Sequence, residues 1–414
     1  MSAPRLTDAL RPGLRVFVPT LSNESALLQS ELQADPERAS GVTFTGVQFP
    51  GIDRADYLAL HPKARLSAFF MSRAVREGIA QGRAELLGLD YVGITRHLRD
   101  SAPPDVAIAQ LTPPDAEGWC SPGLTGDFLP LVWSRAARRV AHINPRMPRT
   151  QGGFRVHISK IDVAVEADTP LLEFTEAPVG DTEQRIGAHA AVLVRDGDTL
   201  QFGIGSVPLA LGRALASHRR LRFHGGLVSS ALRTLWEAGA LDPSAPVTTG
   251  VVLGDAAFHD FATRLPTLSV RDVAHTHNPA VLAAIPRFVA INSAIEVDLF
   301  GQVNAERAGG VIQAGAGGLP AFALGAQASR GGRLLICLAA TARKGTVSRI
   351  VPALTDQSLC TLPRHLADAV VTEHGVAELR GLSLDARADA LIAIAAPEHR
   401  DTLQAAWSAL RRTA

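Results

Sequence analysis

Residues 199–231 read TLQFGIGSVPLALGRALASHRRLRFHGGLVSSA and contain the clearest structural pattern in the chain. The apolar run at 199–202 is followed directly by Gly203, and the run at 221–223 is followed by His224 and Gly225. Apolar residues at helical spacing come after each of these glycine turns. The pattern predicts strand, glycine turn and helix, twice in succession. Two strands joined by a helix are parallel and usually neighbours, so both turns are expected at the same carboxyl edge of one sheet.

The two glycine turns are candidates for an anion site. Glycine lets the backbone approach a ligand closely, and the helix start after each turn offers free N–H groups to negative charge. Open α/β sheets bind ligands at this edge. The alternative is a pair of ordinary strand-to-helix turns, since short glycine motifs recur by chance. The pattern alone leaves both interpretations open.

The rest of the chain repeats the alternation of strand and helix, from residue 14 to 143 and again from 182 to 411. Such an alternation predicts an α/β fold in which parallel sheets are covered by helices on both faces. A looser stretch with Pro and Gly at 168–181 predicts a connection between two domains. We place these domains at 1–178 and 179–414.

The composition excludes several classes of protein. With 41 basic and 40 acidic residues the net charge is +1, so neither nucleic acid nor a membrane surface is an expected partner. The three cysteines are widely spaced, and His275 and His277 lack further ligands, so no disulfide framework and no metal site are predicted. The N-terminus lacks the apolar core of a signal peptide, and the longest apolar runs are too short to span a bilayer. These features predict a cytoplasmic protein.

Residues 288–300, FVAINSAIEVDLF, alternate in the manner of one long strand. The alternation places Asn292, Glu296 and Asp298 on one face. Polar groups on an otherwise apolar strand cannot all be buried without partners. That face therefore either borders a cleft or faces solvent, and Glu296 is either a site residue or a structural hydrogen-bonding residue.

Residues 312–322, IQAGAGGLPAF, form a second glycine-rich motif ahead of a predicted helix. Gly317 and Gly318 can present N–H donors to a phosphate or an oxyanion. The motif lacks the Lys-Ser/Thr of a P-loop, which argues against NTP hydrolysis. The alternative is a tight turn packed on the sheet.

Specific stretches of this chain resemble the acetyl-CoA hydrolase/transferase family, which includes acetate and 4-hydroxybutyrate CoA-transferases. They include NPRMPRT at 144–150, INSAIEVDLFGQVNAE at 291–306 and VVTEHGVAELRG at 370–381. The resemblance implies two pseudo-symmetric α/β domains of the NagB/RpiA/CoA-transferase type with the active site between them. It also implies acyl-CoA and a small carboxylate such as acetate as partners, coenzyme A as a substrate without a permanently bound cofactor, and a homodimer.

The resemblance further implies a ping-pong reaction in which a glutamate attacks the acyl-CoA and an enzyme-bound glutamyl-CoA thioester forms. Backbone N–H groups of the glycine turns would hold the oxyanion, with Ile204 at the oxyanion position of the first turn. These oxyanion or CoA-binding residues are Gly203, Ile204, Gly205, Gly317 and Gly318.

The position of the family's nucleophilic glutamate falls on Gly226, in the sequence His224-Gly225-Gly226. A glycine cannot form an acyl anhydride, so the glutamyl-CoA route is closed at this position. Attack by water would need a base, for which Glu296 is the first candidate and His224 the second. The alternatives are a CoA-transferase with a relocated nucleophile and a non-catalytic acyl-CoA-binding homologue. Gly226→Glu is expected to create or raise acetate-dependent CoA transfer.

Overall fold

The computed structural model describes residues 3–412, in which strands and helices alternate through most of the chain. Its α-helices are Ala26–Ala34 (α1), Tyr57–Leu60 (α2), Arg73–Ala80 (α3), Tyr91–Asp100 (α4), Leu129–Trp133 (α5), Asp181–Ala191 (α6), Ser206–Ala214 (α7), Ser230–Glu237 (α8), Ala256–Arg264 (α9), Val273–Thr276 (α10), Pro279–Ala284 (α11), Leu319–Ala328 (α12), Leu384–Ala393 (α13) and Pro397–Leu410 (α14). Short 3-10 helices lie at Leu6–Ala9, Leu21–Asn23, Pro36–Ala39 and Ile158–Lys160.

The strands are short, and many of them precede a helix. Up to residue 166 they are Arg15–Phe17 (β1), Thr43–Thr45 (β2), Arg65–Ala68 (β3), Ala84–Leu86 (β4), Val106–Leu111 (β5), Trp119–Cys120 (β6), Arg138–Ile143 (β7), Val156–His157 (β8) and Val163–Glu166 (β9). Between residues 199 and 270 they are Thr199–Phe202 (β10), Arg222–His224 (β11), Leu227–Val228 (β12), Val247–Thr249 (β13), Val251–Val252 (β14) and Leu268–Val270 (β15). The remainder are Phe288–Ser293 (β16), Glu296–Asp298 (β17), Val303–Asn304 (β18), Arg307–Ala308 (β19), Val311–Ile312 (β20), Arg333–Cys337 (β21), Thr341–Ala342 (β22), Val347–Ser348 (β23), Ile350–Val351 (β24), Ala369–Thr372 (β25) and Gly375–Glu378 (β26).

The chain divides into two compact units. The first comprises the chain through Thr175 together with Thr248–Thr276, and the second comprises Glu176–Val247 and the chain from His277 onward. The change from one unit to the other falls at Glu176, and the later segment Thr248–Thr276 groups with the first unit. The domain boundary after residue 178 stays a prediction.

The first unit is built on a parallel sheet with the order β4-β3-β2-β1-β5-β7-β9. Every residue of the central strand β5 is buried. A strand of a parallel sheet that is covered on both faces has this uniform burial. The predicted α/β architecture is therefore confirmed for this unit, although β9 was not predicted from the sequence.

The main sheet of the second unit has its strands in the order β11-β10-β16-β21-β25-β26. Each of these strands runs parallel to its neighbour, except that β26 runs antiparallel to β25. Phe288 of β16, Phe322 of α12 and Trp407 of α14 belong to one buried cluster of apolar side chains. This unit also has the predicted α/β character.

The predicted single strand at 288–300 is wrong, because the structure divides it into β16 and β17. The guanidinium of Arg349 donates to the carbonyl oxygens of Ala294 (2.9 Å) and Ile295 (2.7 Å), the two residues between the strands. β17 then pairs with β18 and β24 in a separate small sheet. The cationic side chain thus occupies backbone acceptors that a continuous ladder would have used.

The helix predicted directly after Gly226 begins later than expected. Leu227–Val228 is extended as β12, and α8 starts at Ser230. Within residues 3–412 the structure contains no helix that is both long and apolar enough to cross a membrane.

Two buried carboxyl groups in the first unit have displaced titrations. Burial, together with the smaller effects of the nearby Asp53 and Asp272, raises the pKa of Asp127 to about 8. Burial also raises the pKa of Asp53 to about 7, although its carboxylate accepts hydrogen bonds from the backbone N–H groups of Leu21 and Phe49. At neutral pH the folded protein therefore keeps protons that the unfolded chain has released.

We expect the free energy of unfolding to fall as the pH rises from about 4 to about 8. In this window the native state binds more protons than the unfolded state, so each such carboxyl contributes a slope of up to about 1.4 kcal/mol per pH unit. Asp127→Asn should flatten the dependence and stabilise the protein at pH 8. Urea unfolding at several pH values measures this, with Asp100→Asn at the exposed end of α4 as the control. An unchanged slope in Asp127→Asn would show that Asp127 is ionised in the native state.

Candidate active site

The first glycine turn joins β10 to α7. Gly205 has φ +106° and ψ −176° and directly precedes the first turn of the helix. This backbone conformation is essentially restricted to glycine, which explains why glycine occupies the position. A Cβ built on Gly203 or on Gly205 would meet no heavy atom of the described residues within 4 Å. The turn therefore has open space beside its backbone, and next to it are the N–H groups of a helix start, which have no acceptor within the helix itself.

The second glycine turn follows β11, the parallel neighbour of β10. The register pairs Thr199 with Arg222 and Leu200 with Phe223. Both turns therefore leave the same carboxyl edge of one sheet, as the sequence predicted. Gly225 and Gly226 connect β11 to β12, and the buried Ser229 precedes α8.

The space beside Gly226 is filled by the imidazole of His277. A Cβ on Gly226 would lie 2.7 Å from Cε1 and 2.8 Å from Nε2 of His277, and a Cβ on Gly318 would lie 2.6 Å from the same ring. Real Cβ atoms do not approach other atoms this closely. His277 thus lies between the second glycine turn and the glycine motif that precedes α12, and both glycines are required for it to fit.

The imidazole of His277 is neutral in the pH range of ordinary assays. Burial, and secondarily the proximity of His224, lower the pKa of His277 to about 3. The ring lies 4.6 Å from that of Phe322, measured between centroids. His224 is also buried and packs edge-on against Phe288, with centroids 6.4 Å apart. The structure therefore brings His224, Gly226 and Gly318 together around a histidine that the sequence analysis did not assign to this site.

Gly317 and Gly318 precede α12 as predicted. Gly317 has φ +58°, a conformation that favours glycine, whereas Gly318 has φ −84°, which any residue adopts. Gly318 is therefore required by the close approach of His277 and of the Phe322 ring, which a Cβ would meet at 2.9 Å. Its packing role is a fact of the structure, whereas its role in oxyanion binding remains a proposal.

Glu296 lies in a different hydrogen-bonded corner of the second unit. Its Oε1 accepts from the side chains of Asn304 (2.9 Å) and Ser358. Burial lowers the pKa of Arg349, whereas Glu373 and the half-buried carboxylate of Glu296 favour its charged form. Among the described hydrogen bonds, none joins Glu296 to His224 or to the glycine turns. The other polar residues of the stretch are likewise paired within the fold, since Asn292 donates to Gln201 (2.8 Å).

A carboxylate that the sequence pattern did not single out contacts the first glycine turn and the start of α8. Oε1 of Glu176 accepts hydrogen bonds from the backbone N–H of Gly205 (3.3 Å) and from Oγ of Ser229 (2.9 Å). Its other oxygen, Oε2, is buried and has no hydrogen-bond partner. Glu176 lies in the looser stretch that was interpreted as a connection, where no periodic pattern distinguishes it from Glu173.

Comparison with known proteins assigns the chain to a family. The acetyl-CoA hydrolase/transferase N-terminal domain matches residues 2–175, and the C-terminal domain of the same family matches residues 254–407. The 4-hydroxybutyrate coenzyme A transferase of Clostridium kluyveri is 37% identical over 347 residues, which are 82% of this chain and 81% of that protein. The chain belongs to the acetyl-CoA hydrolase/transferase family.

Solved structures support the same assignment within the acetyl-CoA hydrolase/transferase family. RipA from Yersinia pestis matches with a TM-score of 0.89 at 26% identity, covering 99% of this chain and 97% of that chain. The 4-hydroxybutyrate CoA-transferase from Porphyromonas gingivalis matches with a TM-score of 0.81 at 30% identity and the same coverage. The fold is therefore the two-domain α/β fold of CoA-transferases, as the sequence resemblance implied.

Proposed function

We propose that this member of the acetyl-CoA hydrolase/transferase family hydrolyses acyl-CoA thioesters without a glutamyl-CoA intermediate at position 226. One observation carries the proposal: Gly226 has no carboxylate, and His277 occupies the space into which a side chain at that position would extend. Coenzyme A is then part of the substrate, and the reaction requires no permanently bound cofactor.

The proposed roles follow from the geometry of the two turns. The N–H groups of Gly203 and Ile204 would hold the oxyanion of the tetrahedral intermediate, for which one well-placed donor contributes about 3 kcal/mol. Gly205 would shape the turn, since its N–H already donates to Glu176. The open space beside Gly203 and Gly205 supports binding of a ligand at this turn. Gly317 and Gly318 are proposed to complete the CoA-binding surface.

Glu296 and His224 are the base candidates that the sequence suggested, and the structure favours them unequally. His224 is adjacent to Gly225 and Gly226 and close enough to His277 to influence its titration. Oε1 of Glu296 is already engaged by Asn304 and Ser358. Of these two candidates, His224 is therefore the better supported.

CoA transfer to a small carboxylate such as acetate is the second candidate function. Its support is the similarity of the chain to the 4-hydroxybutyrate coenzyme A transferase of Clostridium kluyveri. It would require a nucleophile at a position other than 226. A non-catalytic acyl-CoA-binding homologue is the third possibility. A cytoplasmic location and a homodimer stay predictions, to be checked by cell fractionation and by sedimentation.

Incubation of the protein with short- and medium-chain acyl-CoAs is expected to release free coenzyme A thiol. Because water is the proposed acceptor, the rate should not depend on added acetate. The measurement is a thiol assay across the acyl series, with and without acetate, alongside direct CoA-binding calorimetry. Turnover that depends on acetate would favour CoA transfer. Binding of coenzyme A without turnover of any acyl-CoA would refute an enzymatic function.

A further inference from the structure

We propose that Glu176 is the general base of thioester hydrolysis, the role for which the sequence suggested Glu296 and His224. The inference rests on the proposed function. It assigns the proton-accepting group to a residue that lies at the start of the second unit, before α6.

The first argument is position. Gly205 ends the turn after β10, and Ser229 lies between β12 and α8. Glu176 accepts a hydrogen bond from each of them through Oε1. The carboxylate therefore joins the first turn to the start of α8, and that turn lies at the carboxyl edge of the sheet, where ligands of open α/β sheets bind. Glu296, by contrast, accepts from Asn304 of a separate small sheet and from Ser358.

The second argument is the division of labour between the two carboxylate oxygens. Oε1 has two donors, which fix the orientation of the group. Oε2 is buried with no hydrogen-bond partner, an arrangement that costs free energy and therefore calls for an explanation such as a catalytic role. A carboxylate held by one oxygen, with the other available as an acceptor, is the arrangement that a base requires.

The third argument is the space beside the first turn. The Cβ positions of Gly203 and Gly205 face open space, so an acyl carbonyl can approach the N–H of Ile204. Gly205 is the next residue, and its N–H already orients Glu176. The proposal places the attacking water between Oε2, which is buried in this structure, and a carbonyl carbon bound at this turn.

The chemical step balances with water as the only co-reactant. One proton of the water passes to Oε2 of Glu176 while the water oxygen forms a bond to the thioester carbonyl carbon. The carbonyl electron pair moves to the oxygen held by the Ile204 N–H. When the tetrahedral intermediate collapses, the C–S bond breaks, and the thiolate of coenzyme A takes the proton from Glu176. The products are the free carboxylic acid and coenzyme A thiol.

Glu176→Gln tests the proposal, because glutamine retains the shape and the Oε1 acceptor but cannot accept the proton. We expect kcat to fall about 10²- to 10⁴-fold with KM nearly unchanged. The acid limb of the kcat–pH profile should disappear in the residual activity. Glu173→Gln, an exposed glutamate three residues earlier, is the matched control and should retain the wild-type kcat and profile.

Two further measurements keep the proposal testable if Glu176→Gln does not fold. Ser229→Ala removes one Oε1 donor and should move the acid limb toward higher pH, because the charged form loses a hydrogen bond. Wild-type protein treated with acyl-CoA and borohydride should carry no reduced glutamate at 176 by peptide mass spectrometry. A reduced glutamate at 176 would show that Glu176 is a nucleophile and would overturn its role as general base.

The outcomes separate this inference from the function on which it rests. If Glu176→Gln releases thiol as fast as the wild type, or if the acid limb of Ser229→Ala stays in place, the role of Glu176 is overturned but the proposed function is not. Absence of thiol release by the wild type overturns the proposed function itself.

Discussion

Gly205→Ala is expected to lower the rate of thioester cleavage about 10²- to 10³-fold, the effect of losing an oxyanion donor. Gly205 has φ +106° and ψ −176°, a region open essentially to glycine alone. An alanine would force the turn to rearrange, at a cost of about 1–3 kcal/mol in the free energy of unfolding. The N–H groups of Ile204 and of residue 205 would then leave their positions, so both oxyanion binding and the contact with Glu176 would be lost. Stopped-assay kcat values and urea unfolding measure the two effects.

Gly239→Ala separates loss of activity from loss of stability. Gly239 also has a positive φ, +67°, and a Cβ there would likewise meet no heavy atom within 4 Å, but it lies at the end of α8. Its substitution should reduce stability by about 1 kcal/mol and leave kcat unchanged for the folded protein. Equal kcat losses in the two variants would indicate a general effect of backbone strain and would argue against an oxyanion role for the first turn.

The elements of the sheets were predictable because their signals are local. Thr199–Phe202 and its helix follow the change from a strand pattern to helical spacing, and α13 and α14 show the same periodicity. The division of the predicted strand at 288–300 was not predictable, since it depends on Arg349, a residue far along the chain that binds two carbonyls. Alternation of side chains is preserved through such a break, so the pattern contains no sign of it.

The candidate site shows the same contrast between local and distant causes. Glycines at 203, 205, 226 and 318 were recognisable as turn residues, but the reason for Gly226 and Gly318 is the His277 ring. His277 stands beside His275 in the sequence, where it resembles half of a metal pair. Glu176 is equally hidden, because its hydrogen bonds reach residues 29 and 53 positions away. Contacts of this kind arise only from the packing of the folded chain.

Gly226→Glu combined with His277→Ala is expected to introduce acetate-dependent CoA transfer. Gly226 is not among the glycines with positive φ, so its backbone accepts a glutamate, and the obstacle is the imidazole 2.7 Å from the new Cβ. Gly226→Glu alone should therefore destabilise the protein by about 1–3 kcal/mol through overpacking and show little transfer. The gain of transfer that the sequence predicted for this single variant did not include the His277 ring, because nothing in the sequence indicated it. Removal of the ring provides space for the carboxylate at the position where the family resemblance places the nucleophile.

Formation of acetyl-CoA from propionyl-CoA and acetate measures the gain, and borohydride trapping should then label the introduced glutamate. His277→Ala alone is the control: it leaves a cavity beside Gly226 and Phe322 but supplies no nucleophile, so it should show no transfer. A folded double variant that binds coenzyme A and yields neither transfer nor label would contradict the alignment at Gly226. In that case His277 would be a packing residue with no relation to a replaced nucleophile, and Gly226 a glycine selected only to accommodate it.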